Sequence, residues 1–225
     1  MPRITLYHGS QKIISKPLLG AGKAYNDYGS GFYCTQNIEL AKEWACPSLD
    51  DGFSNCYELE TADLRILDLQ APEFSTLNWL AILVCNRRFD LDTPVMRQGM
   101  SYLKNNFLPD LSAFDCIRGY RADDSYFSFA RAFLSNQISY SQLANAMRLG
   151  KLGEQFVLKS QKAFDLIEFK GYELAEGRRY YALRSKRMEK AKEDYKKSLE
   201  NADISGLFIR DIILQEVKNG DPRLR

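Results

Sequence analysis

His8 is the sole histidine of the 225 residues, and it stands in the run Leu6-Tyr7-His8-Gly9-Ser10 at the end of an alternating, β-prone stretch. The glycine directly after it leaves the backbone N–H and C=O open to close approach by a ligand, because no Cβ stands in the way. Further on, Gly29 and Gly31 bracket a turn that delivers Tyr33 on a short strand, and Trp44 follows on a helix. An imidazole, an open peptide unit and two aromatic rings are the parts of a clamp for a flat ring bearing a carboxamide. The peptide pairs donor to acceptor with the amide. The aromatics stack on the ring's faces, a contact worth about 0.5–1.5 kcal/mol beyond area burial. Each residue also has a plainer reading. A lone histidine is commonly a surface or quietly hydrogen-bonded residue, and Trp44 shares a helical stripe with Ile38 and Ala41 that suits the core equally well.

The elements that must position these groups follow from periodicity and punctuation. RITLYHG reads as a strand ending at Gly9, followed by a Gly/Pro/Asn/Asp-dense loop, the short strand GFYCT, and an amphipathic helix over QNIELAKEWAC with Asn37 as its cap. NCYELE and LRILDL read as strands, and STLNWLAILVCNRRF as a helix starting at Ser75 or Thr76. DTPVMRQGMSYLKNNF makes one more helix, and AFDCIRGY a buried strand stopping at Gly119. Two capped helices follow, the second closed by Gly150. EQFVLKS and AFDLIEFKGYEL read as strands. Strands and helices at irregular spacing predict an α+β fold rather than regular βαβ repeats.

The order YHGS, then GSGFYCT, then an aromatic eleven residues beyond Tyr33 resembles the ADP-ribosyltransferase superfamily, in its diphtheria-toxin and poly(ADP-ribose)-polymerase-like branch. More closely, the chain is similar to an uncharacterised prokaryotic family with that fold, marked here by LYHGS, DYGSGFYCT and Arg121-Ala122-Asp123-Asp124. The resemblance covers the first two-thirds to three-quarters of the chain. It implies split antiparallel β-sheets with flanking helices, NAD as substrate without a metal, and mono-ADP-ribosylation of an unknown macromolecular or small-molecule acceptor. His8 would then hydrogen-bond the adenosine ribose, Gly9 would read the nicotinamide carboxamide, and Tyr33 and Trp44 would sandwich the ring. Ser10 and Asn26 would touch ribose or phosphate.

The chemistry also needs a negative charge. Breaking the glycosidic bond passes through an oxocarbenium-like transition state, which a carboxylate stabilises. The superfamily places a glutamate on a late strand, and the matching segment here is GEQFVLKS. Aligned by its apolar tail, Gln155 takes the glutamate's place, and Glu154 is displaced by one residue onto the opposite face. A glutamine still bonds ribose hydroxyls, so the resemblance implies either transfer of single ADP-ribose units or a catalytically inactive NAD- or ADP-ribose-binding module. Ala41 stands where polymerase-type members carry a serine that helps fix the carboxamide. Asp123 and Asp124 have two readings: helix N-capping, or one of them facing the cleft as the missing acid or an acceptor-side group. Arg118 and Arg121 beside them would bind a pyrophosphate or pair with these acids.

The bulk of the chain narrows the partners. It is 45% hydrophobic and 27% charged, ordinary for a chain with a real core, and its net charge of +2 sets up no field for nucleic acid or an anionic membrane. Five cysteines without a CxxC pair and a single histidine argue against a zinc site. They suit free thiols in the cytoplasm, and signal-independent export would leave the same pattern. An ADP-ribosyltransferase-like domain over residues 1–175 is expected to be followed by C-terminal helices over 176–225. Their stripe of Tyr181, Met188, Ala191, Tyr195 and Leu199 would pack on the domain or on a second copy in a homodimer. Acidic residues interleaved with the lysines there argue against nucleic acid.

Overall fold

A computed structural model of the protein describes residues 2–90, 92–122, 124–149, 153–200, 203 and 205–224. The chain runs through β1 (Arg3–Ser10), β2 (Phe32–Cys34), α1 (Ile38–Ala45), β3 (Gly52–Glu60), β4 (Ile66–Asp68), α2 (Thr76–Asn86) and α3 (Pro94–Phe107). It continues with β5 (Cys116–Tyr120), α4 (Asp124–Leu134), α5 (Tyr140–Leu149), β6 (Glu154–Leu158) and α6 (Gln161–Asp165). It ends with β7 (Ile167–Ala175), α7 (Gly177–Glu200) and α8 (Ile209–Leu214). This is a mixed α+β architecture with two sheets, ordered β1-β3-β7 and β2-β6-β5-β4.

Local chemistry sets several of these boundaries as expected. Asn37 accepts hydrogen bonds from the N–H groups of Glu39 and Leu40 and so starts α1. Ser75 and Asn78 form a reciprocal capping box at the start of α2. The residues of α2 from Thr76 to Val84 are all buried, so α2 is a central helix, enclosed on every side over those turns. The main core surrounds it and joins sheet β2-β6-β5-β4 to α3, α4, α5, α7 and α8. A smaller cluster around Leu6, Cys34, Leu59 and Phe156 fills the space between the two sheets.

Three expectations need correction. The sheets are not wholly antiparallel: β4 pairs with β5 in parallel, because the long α2–α3 connection carries the chain back to the same end of the sheet. Within AFDLIEFKGYEL only the part from Ile167 is strand, and Ala163 to Asp165 belong to α6, which Ser160 caps by accepting from the Ala163 N–H. On α7 the buried positions are Gly177, Tyr180 and Ala191, and of the expected stripe the two ends, Tyr181 and Leu199, are exposed. The expected stripe holds in its middle, where Ala191 and Tyr195 meet the main core, and fails at its start, where Tyr180 rather than Tyr181 packs with Ala45, Cys46 and Ala175. Among the described residues no helix is long and apolar enough to cross a membrane.

Candidate functional site

The site forms where the two sheets part. Tyr7 and Thr35 exchange a pair of backbone hydrogen bonds, 2.7 and 2.9 Å, which make an isolated antiparallel bridge between β1 and the end of β2. In a continuing ladder the next residues to exchange such bonds would be Gly9 and Tyr33. They do not. His8 Nδ1 instead donates to the Tyr33 carbonyl at 2.7 Å, since a carbonyl oxygen can only accept. The imidazole takes the acceptor that the Gly9 N–H would have used. By strand alternation the Gly9 N–H and C=O point away from β3, toward the opening between the sheets. Neither is hydrogen-bonded to protein among the described residues.

A cavity of about 450 Å³ opens at this point, lined by His8, Gly9, Tyr33, Trp44 and Gln155 together with residues of the loop between β1 and β2. With Asn26 and Arg121, which also line it, the structure brings seven of the sequence-predicted residues together. Gly9 owes its identity to the other side of the strand. A Cβ there would lie 1.9 Å from the Ala41 carbonyl oxygen and 2.9 Å from Trp44 Cβ, so α1 rests on the bare backbone of β1. That contact carries Trp44 to the cavity. The Arg121 guanidinium lies 4.6 Å from the centre of the Trp44 ring, a cation–π contact on the ring. Tyr33 is anchored through its hydroxyl, which donates to the Gly29 carbonyl at 2.6 Å and accepts from the Tyr28 N–H at 3.0 Å. Gly29 meets it from the left-handed region, at φ 74°.

His8 stacks on Phe32, ring centres 4.4 Å apart. Burial lowers its pKa from 6.5, outweighing the Tyr33 carbonyl, which favours the protonated ring. At neutral pH the ring is therefore neutral, its Nδ1 proton is committed to Tyr33, and Nε2 is its acceptor. Between the folded pKa and 6.5 the unfolded chain binds a proton that the folded protein does not. Stability from His8 is thus full above about pH 6.5 and is lost as the pH falls below it. Melting curves from pH 8 to 5.5 are expected to show a steeper acid decline for the wild type than for His8→Gln. Parallel curves would count against this.

Gln155 on β6 is 6% exposed, and its Oε1 is buried without a hydrogen-bond partner. The Trp44 Nε1 is likewise buried and unpartnered. Buried polar atoms left open in this way cost about 1–3 kcal/mol each unless a ligand or water completes them. Glu154 lies on the opposite face of β6. It accepts from Arg118 Nε at 2.8 Å and Nη2 at 2.7 Å and from Gln70 Nε2 at 2.8 Å, outside the cavity lining. That arrangement also assigns Arg118 to a surface network with Asp68 at 3.3 Å. Ser10 caps the turn that follows β1, accepting from the Lys12 N–H, and does not line the cavity. Asn26 does line it. Asp123 lies outside the described residues, and of Asp124 only the backbone is described, at the first position of α4.

The cavity also holds groups that motif reading did not single out. Lys23, Arg87 and Asp27 line it. Asp27 is 5% exposed, accepts from the Ala122 N–H at 2.8 Å and lies 3.9 Å from Arg87 Nη1. It ties the loop to the segment bearing Arg121. The one available signal was its place in the glycine-bracketed DYGSG run. With Lys23, Arg87 and Arg121 against Asp27, cations outnumber acids in the described lining. Among the described residues no three His, Cys, Asp or Glu side chains gather as metal ligands would.

Fold and site thus define an α+β protein with a polar, aromatic-walled cleft between two diverging sheets. The family described as "Protein of unknown function (DUF3990)" matches residues 4–169, and the chain belongs to that family. No curated protein and no solved structure matches the chain.

Proposed function

We propose that the cleft binds the nicotinamide end of NAD and that the protein is an ADP-ribosyltransferase-like enzyme moving single ADP-ribose units to an acceptor. The carrying observation is the open peptide unit of Gly9, freed because His8 holds the Tyr33 carbonyl in its stead. A carboxamide needs one donor and one acceptor side by side, and this unit offers both. Tyr33 and Trp44 line the same cavity as aromatic surfaces, and the neutral Nε2 of His8 suits a ribose hydroxyl as donor. Lys23, Arg87 and Arg121 suit the pyrophosphate. The parting of the two sheets at one bridge supports an ADP-ribosyltransferase-like fold.

In the reaction the acceptor's nucleophilic atom bonds to the ribose carbon. The carbon–nitrogen bond to nicotinamide breaks with its electron pair leaving on nicotinamide, and the acceptor's proton passes to solvent. Gln155 bonds ribose hydroxyls but adds no charge to the developing cation. That neutrality favours a second reading, a module that binds NAD or ADP-ribose without transfer.

Isothermal titration with NAD, together with release of nicotinamide from labelled NAD, tests both. Binding with release supports the enzyme, and binding without release supports the module. Absence of binding overturns both. His8→Ala removes the acceptor and frees the Tyr33 carbonyl for Gly9, so NAD affinity is expected to fall about 10- to 100-fold, the loss of one buried hydrogen-bonding group. Affinity unchanged in the His8→Ala, Tyr33→Ala double variant would refute the pocket.

A further inference from the structure

α1 has only eight residues, too short to hold its own place and shape without tertiary support. One side lies on Gly9. The other is gripped by elements beyond residue 169, the last matched to the family. Glu43, 5% exposed and next in sequence to Trp44, receives a two-pronged bond from Arg187 of α7, Nε to Oε2 at 2.9 Å and Nη2 to Oε1 at 2.6 Å. The Tyr180 hydroxyl of α7 donates to Glu39 at 3.1 Å, and Lys42 pairs with Glu173 of β7 at 2.8 Å. Farther along, α7 is fixed in the main core by Ala191 and by Tyr195, whose ring meets Phe129 of α4 edge-on at 5.0 Å. α4 follows directly on the segment that carries Arg121, the group set over the Trp44 ring. α7 therefore splints the two pieces of chain whose side chains meet at the cavity wall.

We infer that Arg187 is a positioning residue for the cavity, setting the Trp44 wall through its paired bonds to Glu43. The inference rests on reading the cavity as an NAD site only for its ligand arm. A planar fork matched to a buried carboxylate fixes direction as well as distance, which a lysine cannot reproduce. Loss of the fork leaves Glu43 buried and uncompensated, and it can regain water only if α1 shifts.

The test uses the full chain with Arg187→Met, which keeps the apolar stem, and Arg187→Lys. In the methionine variant, hydrogen exchange over residues 38–45 is expected to rise at least about tenfold relative to residues 76–86, and the NAD dissociation constant to rise about tenfold. Lysine should recover part of both. Exchange that rises equally in both segments, or a loosened α1 with NAD affinity intact, overturns the inference. A wild type that binds no NAD overturns the ligand reading instead, and the exchange comparison alone then decides the role of Arg187.

Discussion

Gly9→Ala is expected to lower stability by about 3 kcal/mol, the upper part of the range for overpacked positions. In a chain of this size that corresponds to a drop in melting temperature of roughly 10 °C. The added methyl would sit 1.9 Å from the Ala41 carbonyl oxygen and 2.7 Å from the Ala45 nitrogen. Both are backbone atoms of α1, so no side-chain rotation relieves the clash. The helix must move off β1, and Trp44 moves with it. The same variant is therefore expected to lose NAD binding even at temperatures where it remains folded. A variant that melts within about 2 °C of the wild type would show that α1 does not rest on the strand as described. The glycine has two roles on two faces: its missing side chain admits the helix, and its peptide groups open on the cleft.

Gln155→Glu is expected to raise the rate of nicotinamide release by about 10²- to 10³-fold, the usual worth of one well-placed group stabilising a transition-state charge. Gln155 is buried, lines the cavity, and already has its Oε1 unpartnered. A carboxylate there would face a developing positive charge with little water to screen it. Lys23, Arg87 and Arg121 line the same cavity and lessen the cost of burying the new charge. Release measured with labelled NAD on wild type and variant decides the point. A folded, NAD-binding variant no faster than the wild type would show that residue 155 is not beside the reacting carbon, and the transferase reading would fail with it.

Much of the local structure was legible from local chemistry. Asn37 and Ser75 cap the helices they were expected to cap, because a side-chain oxygen near free N–H groups is a short-range device. The opposite orientations of Gln155 and Glu154 followed from the two-residue period of a strand, and the surface network of Glu154 with Arg118 lies on the side that period assigns. Four residues that the fold gathers at the cavity, His8, Gly9, Tyr33 and Trp44, were visible as motifs. The α7 stripe meets the core at Ala191 and Tyr195 but not at its ends, where Tyr180, not Tyr181, meets a partner and Leu199 is exposed, because a long charged helix presents several near-equal faces.

By itself the sequence determined the α+β class, the capped helices, the alternation of strand faces and a set of motif residues that line the cavity. These depend on neighbours within a few positions. Tertiary structure alone decided that pairing between β1 and β2 stops after Tyr7 and Thr35, that His8 takes the Tyr33 carbonyl from Gly9, that Asp27 and Arg87 line the cavity, and that Arg187 grips Glu43. Those are contacts between residues 25 to 144 positions apart. Nothing in local propensity selects such partners; they are chosen by which surfaces the folded core brings within hydrogen-bonding reach.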